Sequence, residues 1–309
     1  MKINKQWKKV LIGIISLIIL AFVVDRIAGV AIGAIYKNSK YGIFHRQEYC
    51  LHESKDDIII LGSSRAAHHY VPQVFSDSLQ YTCYNCGSDG MCVYYHYAIL
   101  SSFISRGDIP KFVIYDVMPT DVQVSYRATF NLEAAIDRLL PNYGEYPEID
   151  SLILLNGWKE KFKLQSHLYK YNSKLVQLIK CNFIPWPEDK GYEALVGSYR
   201  GDGIKDAPYN NDPIEEKKIY YLRKLINVCK SNDIVLVFVL SPMYVEERTA
   251  GVDMVKAIAS EEGIPCYDYQ HHQSFISTDY YYDDMHLNND GAHEFSKMIA
   301  HELKMINTN

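Results

Sequence analysis

Residues 58–61 read Ile-Ile-Ile-Leu and stop at Gly62-Ser63-Ser64. A strand with one wet face alternates apolar and polar residues, whereas an unbroken β-branched run belongs to a strand covered on both faces. Such strands build parallel sheets sandwiched between helices. The first strand falls at 57–61, and four more are predicted at 81–85, 111–117, 234–240 and 264–269. Apolar residues at helical spacing lie between them, at 91–106, 215–231 and 251–262, with a last helix at 290–305. The stretch after Ser64 contains Pro72 and reads as a short broken helix ending near Ser78. The expected class is α/β, a doubly wound parallel sheet of about five strands in three layers. The strand order is not written in the sequence.

Open α/β sheets present their chemistry at the carboxyl ends of the strands. Gly62-Ser63-Ser64 occupies one such end, and Asn85-Cys86-Gly87-Ser88-Asp89-Gly90 another. Far along the chain, Asp283-Asp284-Met285-His286 places a carboxylate three residues before a histidine. A hydrolytic histidine needs a carboxylate on one ring nitrogen and a nucleophile facing the other. Each motif alone has a plainer reading: Ser63-Ser64 as a helix N-cap, Asn85 and Gly87 as turn residues.

Taken together, these residues resemble the SGNH/GDSL hydrolase superfamily. That family places Gly-Asp-Ser after the first strand, an oxyanion-hole Gly after the second, usually an Asn after the third, and Asp-x-x-His before the last helix. Ser63 stands here where the family has Asp. His286-Leu287-Asn288-Asn289-Asp290-Gly291-Ala292 resembles the closing run of membrane-anchored members associated with polysaccharide or teichoic-acid O-acylation. The resemblance covers residues 57–120 and 213–305 and implies a flavodoxin-like sheet of SGNH type. It implies Ser64 as nucleophile, His286 as acid–base and Asp283 as its partner, with no cofactor and no metal. The oxyanion hole would use the N–H groups of Gly87 and Ser64, with Asn85 as a further candidate. The third position departs from the pattern: Asp116 stands where an Asn donor is usual, and a carboxylate repels an oxyanion. Arg65 and Asp116 are expected near substrate, with a surface salt bridge as the alternative for Arg65 and a side chain turned away from the site as the alternative for Asp116.

The N-terminus carries Lys2, Lys5, Lys8 and Lys9 before an apolar run at 10–24, then Asp25-Arg26, then a second apolar stretch at 27–36. The first run spans about 22 Å as a helix, short of a hydrocarbon core of about 30 Å. Trp7, the snorkelling lysines and the second stretch make up the difference. The expectation is a single-pass anchor over residues 7–35 in a bacterial inner membrane. Its amino end would be cytoplasmic and everything after residue 36 periplasmic or extracytoplasmic. A signal peptide cut near Ala31-Ile32-Gly33 and a core helix of a cytosolic protein are the alternatives. The expected layout is a tip and anchor at 1–36, a stalk at 37–56 and an α/β domain at 57–309. A helical insertion at about 120–212 is too long for one crossover. It carries Trp158, Trp186, helices at 132–140 and 151–179, and a turn-rich loop at 197–203.

The net charge of −5 argues against nucleic acid as a partner. The 26 tyrosines suit sugar surfaces and wet interfaces. Seven cysteines cannot all pair within one chain. Cys83 and Cys86 form a C-x-x-C inside a strand, not at the helix N-terminus that a redox motif wants. They read as small buried hydrophobes, or as a disulfide of Cys83 with Cys86 or Cys92. His68-His69 lacks a nearby carboxylate in sequence and reads as no metal site. Three functions fit. The first is a serine esterase removing acyl groups, chiefly acetyl, from exported glycans or other esters. The second is an O-acyltransferase working with a membrane partner in polysaccharide acylation. The third is a non-catalytic glycan-binding or assembly protein on the same fold.

Overall fold

The computed structural model describes residues 4–201, 210–245 and 249–307, so Asp202 and Gly203 of the turn-rich loop lie outside the described residues. In chain order, α1 (Lys5–Lys37) and α2 (Gly42–His52) precede β1 (Ile58–Gly62), α3 (Ser64–His69), α4 (Pro72–Leu79) and β2 (Cys83–Asn85). Then come α5 (Val93–Arg106), β3 (Phe112–Asp116), α6 (Leu132–Leu139), α7 (Pro147–Leu154), α8 (Trp158–Lys163) and α9 (Leu175–Phe183). The chain closes with α10 (Glu216–Ser231), β4 (Val235–Leu240), α11 (Ala250–Glu262), β5 (Cys266–Asp268) and α12 (Asn289–Asn307). Two compact units result, Met1–His45 with Leu140–Pro185 and Arg46–Leu139 with Trp186–Asn309.

The second unit is the α/β sheet. All neighbouring strands run parallel in the order β2-β1-β3-β4-β5, the flavodoxin-like doubly wound arrangement. Every residue of β1 and β3 is buried, as the unbroken apolar runs require. Ile58, Ile60, Ile114, Val237 and Val239 share one core with Phe75 of α4 and Phe295, Ile299 and Leu303 of α12. On the other face Tyr115 of β3 meets His96 of α5 at 5.4 Å between ring centres. Side chains that alternate across a strand thus feed two helical layers. Each fully buried Ile, Val or Phe contributes roughly 1.5–3 kcal/mol. The register aligns Gly62 with Asp116 and Asp116 with Val239. The carboxyl ends of β1, β3 and β4 therefore finish side by side.

The first unit is built on α1, one continuous helix of 33 residues. It is long and apolar enough to cross a membrane. Asp25 and Arg26, which interrupt the apolar run in the sequence, are satisfied by main chain. Asp25 Oδ2 accepts the His167 N–H at 2.9 Å, and the Arg26 guanidinium donates to the Gln165 carbonyl at 2.8 Å. Gly29 and Gly33 let His167 and Tyr171 approach; a Cβ at Gly29 would meet the His167 Cβ at 2.4 Å. Tyr36, Phe44, Tyr171, Leu178 and Cys181 form this unit's small core.

Three expectations change. The helix predicted over 151–179 is broken into α7, α8 and α9, because Gly157 (φ 93°) and Ser173 (φ 66°) leave the right-handed helical region. Of the insertion, residues 140–185 fall in the first unit, and residues 120–139 and 186–201 in the α/β unit. The stretch read as a stalk carries α2, where Gln47, Cys50 and Leu51 are buried. Arg106 fastens its end by donating to the Ser54 carbonyl at 2.9 Å and the Cys50 carbonyl at 3.1 Å.

Candidate active site

The strand-to-helix turn after β1 places the first functional side chain. Gly62 sits at φ 141°, and a Cβ there would lie 2.7 Å from the Asp116 carbonyl oxygen. Only glycine permits this crossing, and it delivers Ser63 and Ser64 to the start of α3. The two serines then diverge. Ser63 is buried and its Oγ accepts the Gly90 N–H at 3.1 Å. Ser64 is partly exposed, and its Oγ lies 2.8 Å from His286 Nε2 across 222 residues of sequence.

His286 is oriented locally. Asp283 Oδ1 accepts the N–H groups of Met285 and His286, each at 2.8 Å, and both carboxylate oxygens lie 2.9 Å from His286 Nδ1. Partial burial raises the Asp283 pKa, but hydrogen bonds from the His286 ring and the Met285 N–H outweigh it, and the net shift is downward. An ionised carboxylate only accepts, so Nδ1 carries the proton and Nε2 offers its lone pair to the Ser64 hydroxyl. Ser64, His286 and Asp283 are thus brought together in the geometry of a nucleophile, a base and the base's orienting group.

A second histidine braces this arrangement. The Leu287 N–H donates to His69 Nε2 at 3.0 Å, which leaves the proton on Nδ1, 3.0 Å from Ser241 Oγ. Burial, followed by the charge of its neighbours, pushes the His69 pKa well down, so the ring stays neutral. Leu287, next to His286, is thereby tied to the helix that carries Ser64. In the sequence His69 reads only as no metal site, and Ser241 does not stand out. The only signal was a serine directly after β4, at the level where the strands end.

The expected oxyanion donors are already engaged. The Gly87 N–H donates to Asn85 Oδ1 at 2.9 Å. The Asn85 amide donates to the carbonyls of Ala66 at 2.7 Å and Tyr70 at 3.0 Å. Asn85 therefore folds over its own loop and ties it to α3. This corrects the expectation of Gly87 and Asn85 as free oxyanion donors. Ser64, as first residue of α3, keeps an N–H with no partner inside the helix.

Arg65 and Asp116 are also corrected. Both are fully buried, out of reach of a substrate. The Arg65 Nε lies 3.3 Å from Asp116 Oδ1, its Nη2 donates to the Val117 carbonyl at 3.0 Å, and Tyr70 donates to Asp116 Oδ2 at 2.6 Å. Burial raises the Asp116 pKa while Arg65 and its hydrogen-bond donors pull it back. The residue at the third-strand position is thus turned into the core and paired.

Two other clusters lie nearby. His68 packs edge-on against His286, ring centres 5.5 Å apart, and with Asp89 and Glu193 brings three ligand-type atoms within 4.8 Å. Arg46 already forms an ion pair with the Glu193 carboxylate, and a guanidinium there opposes a cation. A cavity of about 310 Å³ adjoins the Asp284–Met285 stretch, lined among others by Met118, Phe130, Met243, Met285, Arg127 and Asn210. Buried Lys218 holds its wall by donating to the carbonyls of Gln123 and Phe130, each at 2.7 Å. Six of the seven cysteines are buried, in keeping with their reading as small hydrophobes. All seven are free thiols, and the neighbour of Cys86 is Cys50, Sγ to Sγ 3.1 Å, in place of Cys83 or Cys92.

No family model matches this chain, and no curated protein matches it. Several solved structures are similar to it, among them the following two. One is a protein described as lipolytic and of the G-D-S-L family, from Desulfitobacterium hafniense, 10% identical over 79% of this chain and 97% of that one, TM-score 0.41. The other is described as an acylhydrolase, from Bacteroides fragilis, 13% identical over 85% of this chain and 97% of that one, TM-score 0.38. At these scores the chemistry rests on the triad geometry and not on the likenesses.

Proposed function

We propose that this chain is an exported, membrane-anchored serine esterase of SGNH/GDSL type that removes acyl groups, chiefly acetyl, from glycans or glycoconjugates. One observation carries the reading: Ser64 Oγ at 2.8 Å from His286 Nε2, with Asp283 at 2.9 Å from Nδ1. The Ser64 oxygen attacks the ester carbonyl carbon and passes its proton to Nε2. The resulting imidazolium is stabilised by Asp283. Collapse of the tetrahedral intermediate returns that proton to the departing alcohol and leaves an acyl-Ser64. Water then repeats the cycle in reverse order, releasing the acid. The Ser64 N–H is the donor this reading assigns to the developing oxyanion. A missing second donor costs about 10² to 10³ in rate, so a slow esterase is expected unless substrate draws the Gly87 N–H away from Asn85.

The same acyl-enzyme can pass its acyl group to a sugar hydroxyl. The cavity beside Met285 favours this second reading, since it offers room for an acceptor alcohol against Asp284 and Met285, in the turn that carries Asp283 and His286. The assembled triad favours either catalytic reading over a non-catalytic glycan-binding role. The anchor would be α1, with Lys5, Lys8 and Lys9 holding the amino end in the cytoplasm.

Release of p-nitrophenol from a short acyl ester, with and without added oligosaccharide, tests both readings. Hydrolysis that disappears in Ser64→Ala is expected. Acylated sugar formed at the expense of free acid would establish transfer. A wild type no faster than Ser64→Ala would sink the catalytic proposal.

A further inference from the structure

The apolar run of α1 is too short for a bilayer by itself. Counting about 20 helical residues on from Val10, the length that crosses a hydrocarbon core, reaches Gly29. One face of α1 stays apolar and exposed through that level, at Ile27, Val30 and Ile35. The opposite face does not, because Gly29, Gly33 and Tyr36 are buried beneath His167 and Tyr171. The height at which a bilayer around α1 would end is therefore the height at which residues 165–168 cross it, fixed there by Asp25 and Arg26.

The helix α8 leads directly into that crossing. It exposes Trp158 (77%) and Phe162 (75%), four residues apart and so on one side of the helix. Its other side is closed by buried Glu160, which accepts from Asn156 at 3.0 Å and Lys163 at 3.3 Å. Lys159, Lys161 and Lys163 are exposed around the aromatic pair. Aromatic residues flanked by lysines, at the end of an apolar span, match the composition of a membrane–water interface. We propose that α8 lies in the interface of the bilayer that α1 crosses, on the side of the folded chain, with Trp158 and Phe162 inserted at the headgroup–acyl boundary. Lipid is the occupant chosen because the residues directly after α8, 165–168, are fixed to α1 at Asp25 and Arg26, close to where the span ends, and because the exposed aromatic pair is flanked by lysines. Helix α9 also exposes Leu175, Val176, Ile179 and Phe183. The Cys181 carbonyl near its end accepts the N–H groups of Lys40 and Tyr41, so that face lies further from the span and is not part of the proposal. The inference rests on α1 crossing a membrane.

The test uses the full chain in phosphatidylcholine–phosphatidylglycerol vesicles. Trp7→Phe with Trp186→Phe leaves Trp158 as the single reporter; both replaced side chains are exposed, so folding is retained. Trp158 is expected to lose emission to lipid brominated near the headgroup end of the acyl chain, to shift to shorter wavelength and to resist iodide in water. A control protein with Trp158→Phe and Leu17→Trp reports the span itself, and is expected to lose emission to lipid brominated near the chain terminus. If the control fails, the anchor reading falls and this proposal with it. If the control behaves and Trp158 stays open to iodide and untouched by bromine, the interfacial proposal alone is overturned, whether or not a protein later covers that face.

Discussion

Replacing Arg65 with Met separates a buried brace from a substrate-binding residue. The guanidinium is fully buried and faces Asp116 at 3.3 Å and the Val117 carbonyl at 3.0 Å. Removing one partner of a buried ion pair leaves the other uncompensated and costs about 3–5 kcal/mol. For a unit of about 200 residues, each kcal/mol moves the melting temperature by roughly 2–4 °C, so a fall of about 10 °C is expected. Met keeps the stem's volume, which confines the loss to charge and hydrogen bonds. Adding Asp116→Asn removes the stranded carboxylate, and the double variant is expected to recover at least ~1 kcal/mol relative to additivity. Thermal unfolding in detergent, followed by circular dichroism, reads the stability, and steady-state ester hydrolysis reads KM and kcat. An Arg65→Met protein with unchanged unfolding and a raised KM would refute the brace and return Arg65 to the substrate.

The triad itself makes two further demands. His286→Ala is expected to lose at least about 10³ in kcat, as for other members of a catalytic unit. Asp283→Asn should lose about as much while leaving KM near wild type, because the wrong ring tautomer then faces Ser64. An unaffected His286→Ala rate would remove the assignment. Gly62→Ala should fail to fold or lose several kcal/mol, since its Cβ would lie 2.7 Å from the Asp116 carbonyl oxygen; normal unfolding of that variant contradicts the turn described. Acid sensitivity has a separate source in His96, fully buried, its pKa pushed down to about 3 by burial. An unfolded histidine titrates near 6.5. Below that pH the unfolded chain binds a proton that the folded chain refuses, so stability drops as pH falls toward 3, by up to ~1.4 kcal/mol per pH unit. Asp121, pushed up to about 6 by burial, acts in the opposite sense, because the folded chain retains a proton that the unfolded chain releases above about 4. Comparing wild type with His96→Leu between pH 7 and 5 isolates the histidine. The variant should lose less stability over that interval, and equal losses would contradict a neutral His96.

The sheet was legible because its signal is local. Ile58–Leu61 and Val235–Leu240 can only be strands covered on both faces, and the structure places both inside the parallel sheet. The meeting of Ser64, Asp283 and His286 was expected because two short motifs, one at the end of β1 and one just before the last helix, constrain each other. What stayed hidden depends on side-chain direction. Asp116 could have faced the nucleophile or the core, and its register opposite Gly62, beside Arg65, decides for the core. A carboxylate fully out of water requires a cation or several donors, and Arg65 and Tyr70 supply them. The Gly87 N–H was hidden for a related reason. Whether it faces solvent depends on the rotamer of Asn85, two residues earlier, which captures it. The span expected over residues 7–35 runs through polar Asp25-Arg26, but the groups that satisfy this pair were not legible. Main-chain groups from residues 140 positions away satisfy both and allow one continuous helix.

Labelling by a serine-directed fluorophosphonate tests the central claim most directly. The probe reacts with a serine only when a base withdraws its proton and the oxygen is free to attack. The full chain is expected to yield one modified peptide, containing Ser64, with labelling lost in Ser64→Ala and strongly slowed in His286→Ala. A wild-type protein that is never labelled, or a label that persists in Ser64→Ala, would contradict the assignment of Ser64 as the nucleophile.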